Sequence, residues 1–204
     1  SIREHFRNFI MSKLETNQVD PATGTTLTLG TSGDTISIPS GVTIANSGTA
    51  TGFGGTTAPY VGVYLSANQT ISDATWTKIQ FNSEVVDSAG AFDSSSNYRY
   101  TPQTAGWYFV SLNLGIGNTA DNSIDKVIVQ IYKNGSGITG STGTRDWDAN
   151  AEGLNYNDQI NTSFMVQCNG SSDYIEGFGY IDVTSGTPRF EGGQASMNIF
   201  KMTE

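Results

Sequence analysis

Histidine and cysteine are nearly absent from this chain of 204 residues, with one of each, His5 and Cys168. A single cysteine leaves no internal disulfide to be made. It fits a protein made in a reducing cytosol, because secreted domains of this size commonly carry disulfides. His5 stands near the start of the chain, outside the strand-rich region that fills most of it. No Ser-His or Cys-His nucleophile pair is therefore expected within that region. No CxxC or HExxH spacing occurs to hold zinc, and no cofactor is called for.

Charge is scarce as well. Only 14% of the residues are charged, where an average globular chain has about 25%. Asp and Glu number 19 against 10 Lys and Arg, for a net charge of −9. Nucleic-acid binding needs clustered Lys and Arg to neutralise phosphates, so no nucleic acid is expected as a partner. The same deficit disfavours anionic membrane surfaces. No apolar run approaches the roughly 20 residues of a membrane helix, so no membrane insertion is expected. The opening SIREHFRNFI has Arg3, Glu4, His5 and Arg7 where a secretory leader has its apolar core, and does not read as one.

Gly, Ser, Thr and Asn take the place of the missing charge, and they suit short strands and many turns rather than helices. Residues 1–14 alone show helical spacing, with Ile2, Phe6, Phe9, Ile10 and Leu14 on one face. They read either as a short anchor on a partner or as a frayed end. Residues 15–57 differ. Leu27 and Leu29, Ile36 and Ile38, and Val42 and Ile44 form period-two pairs separated by small polar residues, as in GDTISIPSGVTI. Two tiny strands around Pro39-Ser40-Gly41 are expected there. Ordering this segment alone costs about 1 kcal/mol or more per residue. Six aliphatic side chains return only about 1.5–3 kcal/mol each. The segment is therefore disordered or borrows a core from other chains, and its regular alternation favours the second. TGFGGTTAP then reads as a flexible boundary; no Gly-Lys-Ser/Thr follows its glycines to make a phosphate loop.

From residue 58 to 204 the alternation predicts one all-β domain. Strands are expected at 60–65, 77–81, 85–87, 98–100, 106–114, 126–133, 159–167, 173–181 and 195–201. Asn134-Gly135 is a strong hairpin signal, and Asn169-Gly170 reads as another. Without βαβ alternation, a sandwich or jelly roll is the natural class. The strand at 106–114 is apolar on both faces, with Trp107 and Phe109 on one and Tyr108, Val110, Leu112 and Leu114 on the other. One face fills the sandwich core. The other requires cover, from a partner subunit or from a loop of the same chain.

TKIQFNSEVVDSAGAFDSSSNYRYTPQTAGWYFVSLNLGI carries an ordered set of signals: Phe81, Phe92-Asp93, Tyr98, Tyr100, Thr101-Pro102, Gly106 and Tyr108. In that order they resemble the tumour-necrosis-factor-like jelly rolls, and most of all the globular heads of complement q. VIVQIYKNG, MVQCNGSSDYIEGFGY and FEGGQASMNIFKM resemble later strands of the same family, so the likeness spans about 59–204. Val110 departs from it, standing where the family usually has Phe, and the loop expected at GITGSTGTRDWDANAEGLNYND is unusually long. The resemblance implies a homotrimer packed side by side about a threefold axis. Tyr108, Val110 and Leu112 are assigned to that interface, with Ile36, Ile38, Val42 and Ile44 meeting their counterparts in the N-terminal zone. TLTLGTSGDTISIPSGVTIANSGTATGF in turn resembles the thin shaft or collar segments of tailed-phage fibres.

The expected fold class is therefore all-β: an N-terminal short-stranded trimeric shaft or collar segment (15–57) after a possible anchor (1–14), then a jelly-roll head (58–204). The expected function is that of a virion structural protein, a fibre, spike or head-decoration protein made in the host cytoplasm. Its N-terminal region would contact other virion proteins, capsid or tail. Its head would face a host-surface glycan. A non-viral recognition module of the same jelly-roll family is the alternative, and a glycan-cleaving enzyme using paired carboxylates is the third reading. For the glycan, Asp146, Trp147, Asp148, Asn150 and Tyr156 are the candidate ligand-binding loop. A flat indole there stands among hydrogen-bonding side chains on a rigid β scaffold; Trp147 packing onto the sandwich is the other reading. Asp121 and Asp125 read as calcium ligands or as a polar turn.

Overall fold

A computed structural model describes residues 19, 21, 23–43, 45, 47–48, 58–146 and 158–202. The expected N-terminal helix at 1–14 and residues 51–57 of the TGFGGTTAP boundary lie outside them. The chain separates into two compact units, Ser1–Thr51 and Gly52–Glu204.

In the first unit the described residues of the single chain contain turns and no strand, so the two expected around Pro39 are not formed within one chain. Asp34 N–H donates to Thr31 O at 3.0 Å and Val42 N–H to Pro39 O at 3.2 Å. The Asp34 carboxylate accepts from the Thr31 N–H at 2.6 Å and its hydroxyl at 3.0 Å. These bonds, the backbone one foremost, hold the Asp34 carboxyl below its ordinary range. Strands need a partner ladder, and the residues between these apolar pairs are occupied in closing turns. Ile36, Ile38 and Val42 are left exposed, as are Leu27 and Leu29.

The second unit is built from thirteen strands. In order they are β1 (Tyr60–Tyr64), β2 (Gln69–Thr70), β3 (Thr77–Lys78), β4 (Ser83–Asp87), β5 (Phe92–Asp93), β6 (Arg99–Tyr100), β7 (Ala105–Asn118), β8 (Ile124–Lys133), β9 (Ser136–Asp146), β10 (Asp158–Asn169), β11 (Ile175–Val183), β12 (Pro188–Phe190) and β13 (Ser196–Lys201). Every recorded pairing is antiparallel. One sheet runs β10-β7-β13-β1-β4, with β12 and β2 continuing beside the end of β7. The other runs β5-β6-β11-β8-β9, with β3 also on β11. The fold is an all-β jelly-roll sandwich.

Asn134-Gly135 makes the two-residue hairpin between β8 and β9, both residues at positive φ, 53° and 76°. Asn169-Gly170 does not make a hairpin. β10 pairs with β7 and β11 with β8, so this turn carries the chain between sheets. The Asn169 side-chain oxygen accepts from the N–H groups of Ser171, Ser172 and Asp173, each at 3.0 Å, and so fixes the crossing.

The core lies between the sheets and includes Phe81, Tyr100, Tyr108, Leu112, Leu114, Ile131, Phe190 and Met197, all fully buried. β11 turns Ile175, Gly177, Gly179 and Ile181 inward. A Cβ on Gly179 would stand 2.7 Å from the Phe190 ring and 2.8 Å from Leu114. Glycine there lets large side chains from the opposite sheet reach β11.

Candidate functional site

The loop singled out by the sequence joins β9 to β10. Asp146 ends β9 with an exposed carboxylate 3.1 Å from Lys126 Nζ. The neighbouring Arg145 guanidinium pairs with Asp158, the first residue of β10. This ion pair draws the two ends of the 147–157 segment together, one end on each sheet. Trp147, Asp148, Asn150 and Tyr156 lie outside the described residues, as does Ile44 of the N-terminal set.

The face of β7 assigned to a partner subunit is corrected. Tyr108, Val110 and Leu112 are fully buried within the sandwich of their own chain. The same parity continues through Leu114 and Ile116, so five consecutive inward positions fill one core. The outward parity is Trp107, Phe109, Ser111 and Asn113. Register then places an apolar row across four strands of the first sheet. Met165 of β10 stands opposite Phe109 of β7, Phe109 opposite Phe200 of β13, and Phe200 opposite Tyr60 of β1. Met165 is 44% exposed, Phe200 47% and the neighbouring Trp107 43%. Met202, whose N–H donates to Trp107 O at 2.7 Å, adds a further exposed apolar side chain.

Along the same face the next two rows turn polar. Ser163, Ser111 and Asn198 form one, and Asn161, Asn113 and Ser196 the other. Asn113 Nδ2 donates to Gln159 Oε1 at 3.0 Å and Gln194 O at 2.7 Å. The face thus pairs an apolar end with a neutral hydrogen-bonding end, a composition suited to contact with another neutral protein surface. The sequence showed Trp107 and Phe109. Met165, Phe200 and Tyr60 join them through register alone.

A small pocket at one end of the sandwich is lined by Ala105, Gly106, Lys133, Gln167, Cys168, Asn169 and Asp173. Lys133 Nζ donates to Gln167 O at 2.7 Å and pairs with Asp173 at 2.9 Å. Asn134 Nδ2 donates to Asp173 at 2.7 Å, and the Asn169 N–H donates at 2.9 Å. Together these donors, the Asn134 amide first, hold the Asp173 carboxyl below its ordinary range. The Cys168 thiol is buried, and burial pushes it up to about 11. That shift disfavours the reactive thiolate. Burial likewise raises Tyr100 and Tyr108 above the ordinary phenol value. These shifted groups sit in packed structure, so they mark core packing rather than a reaction site. Among the described residues no three of His, Cys, Asp and Glu gather to hold a metal ion, and there is no helix long and apolar enough to cross a membrane. Asp121 and Asp125 border a turn held by Asn118, whose amide donates to Ser123 Oγ at 2.6 Å and Ser185 O at 2.7 Å.

No family model matches the chain, and no curated protein matches it. Solved structures do. The globular domain of the zebrafish complement 1qA protein is 10% identical with a TM-score of 0.47, covering 72% of this chain and 98% of that one. Murine APRIL is 8% identical with a TM-score of 0.48, over 71% of this chain and 99% of that one. Eiger TNF from S. frugiperda is 8% identical with a TM-score of 0.46, over 72% and 94%.

Proposed function

We propose that the protein is a homotrimeric structural and recognition protein of a virus particle, in which the jelly-roll head assembles through the outward face of its first sheet. The observation that carries the assembly is the row of Met165, Phe109, Phe200 and Tyr60, an apolar band on the open face of a five-stranded path. Contiguous exposed apolar rows are uncommon on monomers and mark contact surfaces. The virion role rests on the N-terminal zone, whose short apolar pairs resemble fibre shafts. In the single chain Ile36, Ile38 and Val42 are exposed, and three chains about an axis would cover them. The N-terminal region then attaches to other virion proteins and the head faces outward, toward a host-surface glycan.

Mass photometry of the full chain tests the assembly: a trimer is expected, and a stable monomer at micromolar concentration overturns it. Immunogold labelling of purified virus particles tests the location. Label on capsid or tail supports the virion role. A trimer absent from particles leaves a recognition module of the same fold.

A further inference from the structure

The outward face of the second sheet carries four aromatic rings in contact. β11 points Phe178 and Tyr180 outward, at the positions between its inward glycines. Tyr132 of β8 stacks on Phe178, ring centroids 3.9 Å apart and planes within 17°. Trp76, just before β3, leans on both tyrosines, 6.0 Å from Tyr132 and 5.7 Å from Tyr180. Trp76 is 38% exposed, its ring plane tilted 50° from that of Tyr132 and 49° from that of Tyr180. A partly exposed aromatic cluster is costly to leave in water and cheap to use, because its side chains are already ordered by one another.

The rim is polar and electrically settled. Thr142 and Thr144 of β9 share this face and are exposed, through their pairing with Gln130 and Ile128. Gln130, opposite Phe178, donates its Nε2 to Ile138 O at 3.1 Å, which leaves its carbonyl oxygen as an acceptor. The cations beside the rings have partners. Lys78 lies over Phe178, pairs with the buried Glu176 and donates to Asn97 O at 3.1 Å. Arg99 lies over the Tyr174 ring at 4.2 Å. Lys126 pairs with Asp146. In a chain of net charge −9, both lysines beside the rings are already matched by carboxylates, and Arg99 lies over Tyr174 rather than over the four rings.

We infer that Trp76, with Tyr132, Phe178 and Tyr180, is the binding platform for a neutral glycan. A pyranose ring has an apolar face of C–H groups and an equator of hydroxyls. The first lies flat on the indole, and the second meets the threonine hydroxyls and the Gln130 carbonyl at the rim. Sialylated or uronate-bearing glycans lack a counter-charge here. The inference rests on the reading of the head as a glycan-recognising module and names its site on the second sheet, distinct from the apolar row of the first.

The test is the full chain on a printed array of neutral hexose and N-acetylhexosamine oligosaccharides with sialylated and uronate counterparts, then titration calorimetry on a bound neutral oligosaccharide. Neutral glycans are expected to bind. Trp76→Ala is expected to weaken binding about 10-fold or more, with oligomeric mass unchanged and the unfolding midpoint lowered by the lost ring packing. Trp76→Phe, which keeps a flat face, is expected to retain most of the affinity. Ile128→Arg leaves the four rings in place and lays a charged chain across Tyr180; it is expected to show the same loss, which covers the case of a misfolded alanine variant. Undiminished affinity in Trp76→Ala or Ile128→Arg overturns the site while leaving glycan recognition standing. Binding of acidic glycans alone overturns the proposed specificity and the site. Absence of any glycan binding overturns both this site and the glycan reading of the head, while the trimer is judged separately by mass. A change of oligomeric mass in Trp76→Ala overturns the site in favour of a contact between copies.

Discussion

Tyr100 and Tyr108 meet edge to face in the core, ring centroids 5.9 Å apart and planes at 64°, and only one of their hydroxyls is satisfied. Tyr108 donates to Thr104 O at 2.7 Å. The Tyr100 hydroxyl is buried without a hydrogen-bond partner among the described residues. The unmatched group costs free energy, while the matched one contributes about 1 kcal/mol net. Tyr100→Phe is therefore expected to be neutral or stabilising by up to about 1 kcal/mol, and Tyr108→Phe to destabilise by about 0.5–1.5 kcal/mol. Urea midpoints of the two variants check this; a clear loss in Tyr100→Phe contradicts it.

The two parities of β7 and its neighbours separate assembly from folding. Phe200→Asp places a charge in the outward row and is expected to dissociate the proposed trimer while leaving the far-ultraviolet circular dichroism of the sandwich intact. Leu112→Asp buries an unpaired carboxylate and is expected to prevent folding. Light scattering and circular dichroism on the pair check the assignment. A folded, fully trimeric Phe200→Asp contradicts it.

Cys168 supplies a prediction at alkaline pH. Its thiol is pushed from an ordinary value of 9.0 up to about 11 by burial. Between those values the folded chain holds a proton that the unfolded chain has lost. This contribution to stability is complete below about pH 9 and falls as pH rises toward 11. Cys168→Ala is expected to have a shallower decline of urea midpoint between pH 9 and 10.5 than the parent. Aromatic disulfide reagents at pH 8 are expected to label the native thiol only slowly. Rapid labelling of folded protein contradicts the buried placement.

Gly179 is expected to accept a side chain only at a cost in stability. The Cβ of Gly179→Ala would stand 2.7 Å from the Phe190 ring and 2.8 Å from Leu114. Forcing those side chains apart costs about 1–3 kcal/mol by overpacking. Gly179→Ala combined with Leu114→Ala is expected to differ from the sum of the single variants, because the truncation opens room for the added methyl. Thermal unfolding of the four proteins in that cycle measures the coupling, and strict additivity contradicts the contact.

Much of the sandwich was legible in the sequence, because alternation reports strands directly. The strands at 60–64, 105–118, 124–133 and 196–201 fall where alternation places them. β9 was hidden, since SGITGSTGTRD has the composition of a loop. Its glycines serve close approach: a Cβ on Gly143 would stand 2.5 Å from Asn161 O on β10. Pairing to β8 overrode weak strand propensity. The face of β7 was not legible, because both parities near Trp107 are apolar and only the far end of the strand decides between them. The second-sheet aromatics escaped for a related reason. In the middle of β11, Phe178 and Tyr180 point out and Gly177 and Gly179 point in, the reverse of the usual order, and the bulk of Phe190, Leu112 and Leu114 arriving from the other sheet explains it.

The ion pair of Arg145 with Asp158 has a consequence for how this head can change over generations. It clamps the two ends of the 147–157 segment where β9 hands over to β10. Closure entropy rises by only about 0.6 kcal/mol for each doubling of loop length. Insertions, deletions and wholesale replacement between the clamped ends are thus cheap for the sandwich. The head has a socket in which sequence can diversify without renegotiating the fold beneath it.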